Sequence, residues 1–179
     1  MKIDVKDLKT EVGGRLRRHF AERIAPLEVD GEEAAFPEPV EVDAELLNTG
    51  EGIHAHVRVR AQAELHCGRC LEPFRLTLKS EFREVFREEG ESELEDEGDE
   101  RGPLVSDYDG ETIDLTEPVR ENLFLAVPMK PLCREDCPGL CPRCGKNLKD
   151  GPCGCEDVPV DPRLAVLKDL FKGGSEGPL

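Results

Sequence analysis

The stretch Val40-Glu41-Val42-Asp43-Ala44-Glu45-Leu46-Leu47-Asn48-Thr49-Gly50-Glu51-Gly52-Ile53-His54-Ala55-His56-Val57-Arg58-Val59-Arg60-Ala61 decides the fold. Val40, Val42, Ala44 and Leu46 alternate with polar residues, and after the run from Asn48 to Gly52 so do Ile53, Ala55, Val57, Val59 and Ala61. Successive side chains on a strand point to opposite faces, so this reads as an antiparallel hairpin with one buried face. Past Cys67-Gly68-Arg69-Cys70, the residues Phe74, Leu76, Leu78 and Phe82 keep the period of two. The cysteine turn therefore sits at the tip joining two long strands, and the sheet has at least three consecutive members.

Working outward, Ile3, Val5 and Leu8 among charges suggest a short strand, and Gly13-Gly14 with the basic run Arg15-Leu16-Arg17-Arg18-His19 reads as a turn or helix. On the other side, Glu81 to Glu100 is crowded with carboxylates and has no apolar periodicity from Glu88 onward, which predicts a disordered acidic loop over about 88–110. Ile113-Asp114-Leu115 reads as an edge strand. Thr116, Glu117 and Pro118 supply a hydroxyl cap, an acid at the positive end of the helix dipole and a first-turn proline. The helix they start has Val119, Leu123, Phe124 and Val127 as its buried stripe and ends at Pro128. Asp161-Pro162 starts a second helix with Leu164, Leu167, Leu170 and Phe171 on one face, closed by Gly173-Gly174. The fold class expected is α+β: a β-rich antiparallel sheet or partial barrel with a few short helices and a zinc-stapled C-terminal tail. The division expected is a core domain over residues 1–128 and a cysteine-rich tail with the C-terminal helix over 129–179.

The chain has 179 residues, of which 37% are hydrophobic and 4% aromatic, enough for one modest core plus appended segments. Its formal net charge of -16 opposes diffuse, charge-only binding to nucleic acid, so an RNA contact has to be local. The N-terminal residues lack the continuous apolar stretch of a secretory signal, and nothing approaches the roughly 20 apolar residues of a membrane span. The expected location is the cytoplasm, where thiols stay reduced and a disulfide framework does not explain eight cysteines.

Those cysteines fall into close pairs: Cys67 and Cys70, Cys133 and Cys137, Cys141 and Cys144, Cys153 and Cys155. Two thiolates separated by two residues converge on one tetrahedral ion from a tight turn. Cys141, Cys144, Cys153 and Cys155 lie within fifteen residues of one another and form one expected closed zinc site. Cys67 and Cys70 with Cys133 and Cys137 would form a second that clips the tail onto the sheet. The competing partition, with Cys133, Cys137, Cys141 and Cys144 on one metal, stays open. A four-thiolate site has no open coordination position, so the expected role of zinc is structural rather than catalytic.

Other chemistry is sparse. His66 adjoins Cys67, where an exposed strand-end histidine is the commoner reading and a substitute ligand the lesser one, while His54 and His56 share the solvated side of their strand. There is no Ser/His/Asp set, Walker loop or GxGxxG, and no small-molecule substrate is implied. Two local basic patches stand out: Lys130, Arg134, Arg143, Lys146 and Lys149 around the cysteines, and Arg15, Arg17, Arg18 and Arg23 near the N-terminus.

The segment Pro131-Leu132-Cys133-Arg134-Glu135-Asp136-Cys137-Pro138-Gly139-Leu140-Cys141-Pro142-Arg143-Cys144-Gly145-Lys146-Asn147-Leu148, with Cys153-Gly154-Cys155 after it, closely resembles the C-terminal motif of the YceD family. Cys67-Gly68-Arg69-Cys70-Leu71 matches that family's upstream CxRCL motif. The resemblance implies a bacterial or plastid protein needed for accumulation of large-subunit (23S) ribosomal RNA, often encoded beside a zinc-containing protein of that subunit, and not an enzyme. The partner expected is pre-ribosomal large-subunit RNA or a basic large-subunit ribosomal protein, the acidic run from Glu88 to Glu100 favouring the latter. The reading from a different class is a thiol-redox or RNA-modifying enzyme that uses the Cys67/Cys70 pair.

Overall fold

The computed structural model describes residues 1–29, 31–88 and 104–155. They form two compact units, Met1–Cys137 and the part that begins at Pro138. In the first unit the elements are β1 (Lys2–Asp4), α1 (Lys6–Thr10), β2 (Arg15–Glu22), β3 (Leu27–Val29), β4 (Glu32–Ala34), β5 (Val40–Asn48), β6 (Ile53–His66), β7 (Pro73–Glu88), β8 (Leu104–Tyr108), β9 (Thr112–Asp114) and α2 (Thr116–Ala126). The second unit contributes a single 3₁₀ turn, Leu148–Asp150, among its described residues. The strand-rich class with few helices is the one expected.

One five-stranded sheet in the order β2-β5-β6-β7-β8 organises the first unit. β5 and β6 form the expected hairpin, with Ala44 opposite Val57 and Leu46 opposite Ala55. β6 and β7 pair along their whole length, from Ile53 opposite Phe86 to His66 opposite Pro73. The alternation that predicts these strands is the burial pattern observed: along β5 and β6 every second residue, including Val40, Val42, Leu46, Val57 and Ala63, is buried and the alternate ones are exposed or half-buried. The layer on the buried face is built from α2, the β1-β9 pair and the β3-β4 hairpin, whose Ile3, Leu27, Ala34, Ile113, Val119 and Leu123 join the same apolar cluster. Among the described residues the opposite face carries no such layer, and its side chains are mostly polar.

Five expectations change. The basic run Arg15–His19 is not a turn or helix but lies in β2, an edge strand paired with β5, where only Leu16 and Phe20 are half-buried. The sheet is mixed rather than purely antiparallel, because β8 joins β7 in parallel. β8 also occupies part of the span read as a disordered loop, while residues 89–103 and the C-terminal helix expected from Asp161 lie outside the described residues. The start of α2 is held by Asp114 rather than by the Thr116 hydroxyl: the Thr116 N–H donates to Asp114 Oδ1 at 2.9 Å, and Leu115 takes the cap position without a side-chain bond. Phe124 is 44% exposed, since at about 100° per residue it stands about 140° round the helix from Val119 and about 100° from Leu123, off the stripe those two define.

The boundary between the units falls after Cys137. The chain from Pro128 to Cys137 folds against the end of the β6-β7 hairpin, through contacts that centre on sulfur.

Candidate metal centres

At the tip of the β6-β7 hairpin the chain reverses over Cys67-Gly68-Arg69-Cys70. The Cys67 carbonyl accepts from the Leu71 N–H at 2.8 Å and the Cys67 N–H donates to the Glu72 carbonyl at 2.9 Å. This geometry puts Leu71 at φ 60°, the left-handed region that costs an L residue roughly 1–2 kcal/mol. Two further contacts seat the later segment here. The Gly68 N–H donates to the Pro131 carbonyl at 2.8 Å, and Arg69 Nη1 donates to the carbonyls of Glu135 (3.2 Å) and Cys137 (2.9 Å). Arg69 is a positioning residue that the sequence reading did not single out; its place inside the CxxC was the available signal.

The result is a cage of four sulfurs, Cys67, Cys70, Cys133 and Cys137, all within 4.8 Å of one another. Cys67 and Cys137 are almost wholly buried, and Phe74 and Leu132 pack round them. The Cys67–Cys137 and Cys70–Cys133 sulfur separations are 3.8 and 3.9 Å. Sulfurs bound at about 2.3 Å to one tetrahedral ion stand about 3.8 Å apart, whereas a disulfide requires about 2.05 Å. The spacing is that of a cage for a single ion. Burial by itself would raise the Cys67 thiol, but the N–H groups of Cys133, Cys70 and Arg69 that face its sulfur outweigh burial and bring its pKa down to about 6. They favour the thiolate, the form that ligates.

In the second unit the same knuckle recurs. The Cys141 carbonyl accepts from the Gly145 N–H at 2.9 Å, and the Cys141 N–H donates to the Lys146 carbonyl at 2.8 Å. Gly145, at φ 72°, stands where Leu71 stands in the first knuckle. A short antiparallel contact of Leu140 with Asn147 and the 3₁₀ turn, whose Lys149 N–H donates to Asn147 Oδ1, fold the chain back. Cys153 and Cys155 thereby join Cys141 and Cys144, again all within 4.8 Å, with Cys141 and Cys153 sulfurs at 3.3 Å. N–H groups of Cys144 and Arg143, with the Cys153 thiol, draw Cys141 down to about 6; hydrogen bonding with the Cys144 and Cys153 thiols pushes Cys155 up to about 12. Cys144 and Cys155 are exposed, so this cage is the more open of the two.

The grouping is the partition favoured from sequence, and the competing set of Cys133, Cys137, Cys141 and Cys144 is not what the geometry brings together. His66 is exposed at the end of β6 and belongs to neither cage. Each quartet is all thiol, a soft donor set that suits zinc and other thiophilic ions and disfavours magnesium or calcium. With four protein donors round one ion, no coordination position is left for a substrate, so what the cages can do is hold chain segments together. No helix among the described residues is long and apolar enough to cross a membrane.

These features define a class: a strand-rich protein with two cysteine quartets, each able to hold a metal ion. A family model described as large ribosomal RNA subunit accumulation protein YceD matches residues 55–171, which include all eight cysteines. The chain belongs to the YceD family. An uncharacterized protein of Mycobacterium tuberculosis is 35% identical over 133 residues, covering 74% of this chain and 62% of the relative. A Zea mays protein named large ribosomal RNA subunit accumulation protein YCED homolog 1, chloroplastic, is 28% identical over 139 residues, 64% of this chain and 47% of its own. An uncharacterized Bacillus subtilis protein is 30% identical over 113 residues, 63% and 62% of the two chains. The chain thus spans less than two thirds of the length of these relatives. No solved structure matches significantly.

Proposed function

We propose that the protein is a cytoplasmic ribosome biogenesis factor that supports accumulation of large-subunit ribosomal RNA as a non-catalytic binding module, with zinc as the ion in both cages. The observation that carries the binding-module reading is the quartet of Cys67, Cys70, Cys133 and Cys137, which joins a hairpin tip to a segment more than sixty residues away and leaves no donor position free. A zinc ion there supplies folding free energy and charge neutralisation, not Lewis-acid chemistry at a substrate. Family membership and the plant relatives' names support the ribosomal role. The partner is pre-ribosomal large-subunit RNA or a basic ribosomal protein of that subunit.

The lowered thiol of Cys67 is also what a redox dithiol needs, so the enzyme reading requires its own test. Alkylation of metal-loaded protein separates the two. Caged thiolates resist iodoacetamide until a chelator is added, whereas a catalytic Cys67 labels at once with metal still bound. Zinc content by mass spectrometry of native protein, expected at two per chain, and large-subunit rRNA levels in cells lacking the protein complete the test; rapid labelling with normal rRNA would overturn the proposal.

A further inference from the structure

The sheet face that no described element covers carries interleaved charges, and the register shows which of them are left without a partner in an ion pair. By register, Arg17, Glu45, His56 and Arg83 form one row across it, His19, Asp43, Arg58 and Glu81 the next, and Glu41, Arg60 and Lys79 the third. Most of these groups are matched. Arg17 bonds Glu45 at 3.0 Å, His19 bonds Asp43 at 2.9 Å, and His56 bonds Glu81 at 2.6 Å. Arg58, Arg60, Lys79 and Arg83 are exposed and have no ion pair among the described residues; Glu41 stands opposite Arg60 on β5 without closing on it. Arg60 and Lys79 face each other directly across β6 and β7. Like charges in that relation are destabilising, so the fold alone gives no reason to keep them.

These four cations cluster on the β6-β7 half of the face in a chain whose net charge is -16. Arg58 and Arg60 are successive same-side residues about 6.7 Å apart along the strand, and Lys79 is a cross-strand neighbour about 5 Å away, a spacing that presents several donors to a repeating polyanion. Because the carboxylates Glu45, Asp43 and Glu81 in these rows are already paired, the charges left over favour an anionic partner over a basic one. The aromatic residues of the sheet strands, Phe20, Phe74, Phe82, Phe86 and Tyr108, all lie by register on the other face, so bases have no platform on which to stack. What the surface offers is contact with backbone phosphate, the mode by which double-helical RNA is bound.

We propose that this sheet face binds the phosphate backbone of double-helical RNA through Arg58, Arg60, Lys79 and Arg83. The inference rests on the ribosomal reading above and decides between its two partners. The test is titration of a labelled RNA hairpin with full-length, metal-loaded protein at several salt concentrations. Arg60→Ala/Lys79→Ala is expected to weaken binding roughly tenfold and to lower the slope of log affinity against log salt by about two, while Lys2→Ala/Arg120→Ala, which removes equal charge from the opposite layer, changes neither. Unchanged binding by the first double variant overturns this surface and leaves the ribosomal role standing. A parent protein that ignores RNA but binds a basic large-subunit ribosomal protein overturns it too, and leaves the other partner. Normal large-subunit rRNA in cells without the protein overturns the proposed function itself.

Discussion

Removing the metal should release the segment Lys130–Cys137 from the hairpin tip while the sheet stays folded. Apart from sulfur, that segment is tied to the tip by hydrogen bonds that include Gly68 N–H to the Pro131 carbonyl and Arg69 to the carbonyls of Glu135 and Cys137. At about 1 kcal/mol each they contribute about 3 kcal/mol, and the half-buried Leu132 with the buried Cys137 adds about 3 more. Ordering eight residues costs about 8–16 kcal/mol in backbone entropy. The segment is therefore short of stability by several kcal/mol, and a structural ion, at about 10–16 kcal/mol in small zinc domains, is large enough to reverse the balance. The main apolar cluster contains none of the four sulfurs, so it should not depend on the ion. Amide hydrogen exchange under reducing conditions, with and without chelator, is the assay. The Gly68 amide should lose protection on chelation while amides in the middle of β6, near Val57, keep theirs. Full protection at Gly68 after verified metal removal would refute the reasoning.

Three other outcomes follow from the geometry. Leu123→Ala, at a wholly buried position of α2, should cost about 2–5 kcal/mol in denaturant unfolding, whereas Leu125→Ala, 77% exposed, should cost little. Leu71→Gly should raise the stability of the metal-loaded protein by about 1 kcal/mol, read as a higher Tm, because it gives the first knuckle the residue type that Gly145 supplies in the second; a lower Tm would mean the Leu71 side chain makes contacts that outweigh its strain. Glu84 is 2% exposed, and burial raises its pKa above 4.5, with Glu121 adding to the rise and the hydrogen bond from Ser106 opposing it. A raised folded-state pKa means stability that is complete below the unfolded value and is lost as pH rises through the folded one. Glu84→Gln should therefore gain on the parent near pH 8 and lose that advantage near pH 4; a gap independent of pH would show that Glu84 titrates normally.

The long central strands were legible because one of their faces is buried, which forces the period of two on Val40–Leu46 and Ile53–Leu65. β2 escaped because an edge strand with only Leu16 and Phe20 half-buried imposes little pattern, and Arg15–His19 looks merely basic. β8 escaped for the same reason, being short and mostly exposed, and its parallel pairing with β7 has no local signature. The sulfur partition was legible in part: proximity gives Cys141 with Cys155, but only the fold shows that Cys67 meets Cys137. The cationic face was invisible along the chain, because Arg58 and Arg60 are interleaved with Val57, Val59 and Ala61 and meet Lys79 and Arg83 only across the ladder. Of the expected basic patch of Arg15, Arg17, Arg18 and Arg23, Arg18 falls by register on the face of Ala44 and Arg17 on the opposite face with Glu45.

The β6-β7 hairpin also limits how such a chain can change in length. Its tip holds Cys67 and Cys70 at the end of a fourteen-residue strand, about 45 Å long. Inserting a single residue into β6 would turn every side chain beyond it over, exposing the apolar row and carrying the knuckle out of reach of Cys133 and Cys137. Matched two-residue insertions in both strands would preserve the facing and extend the arm by about 7 Å. Indels in this arm are thus tolerable only in even, paired steps, with the segment that returns to the tip growing to match.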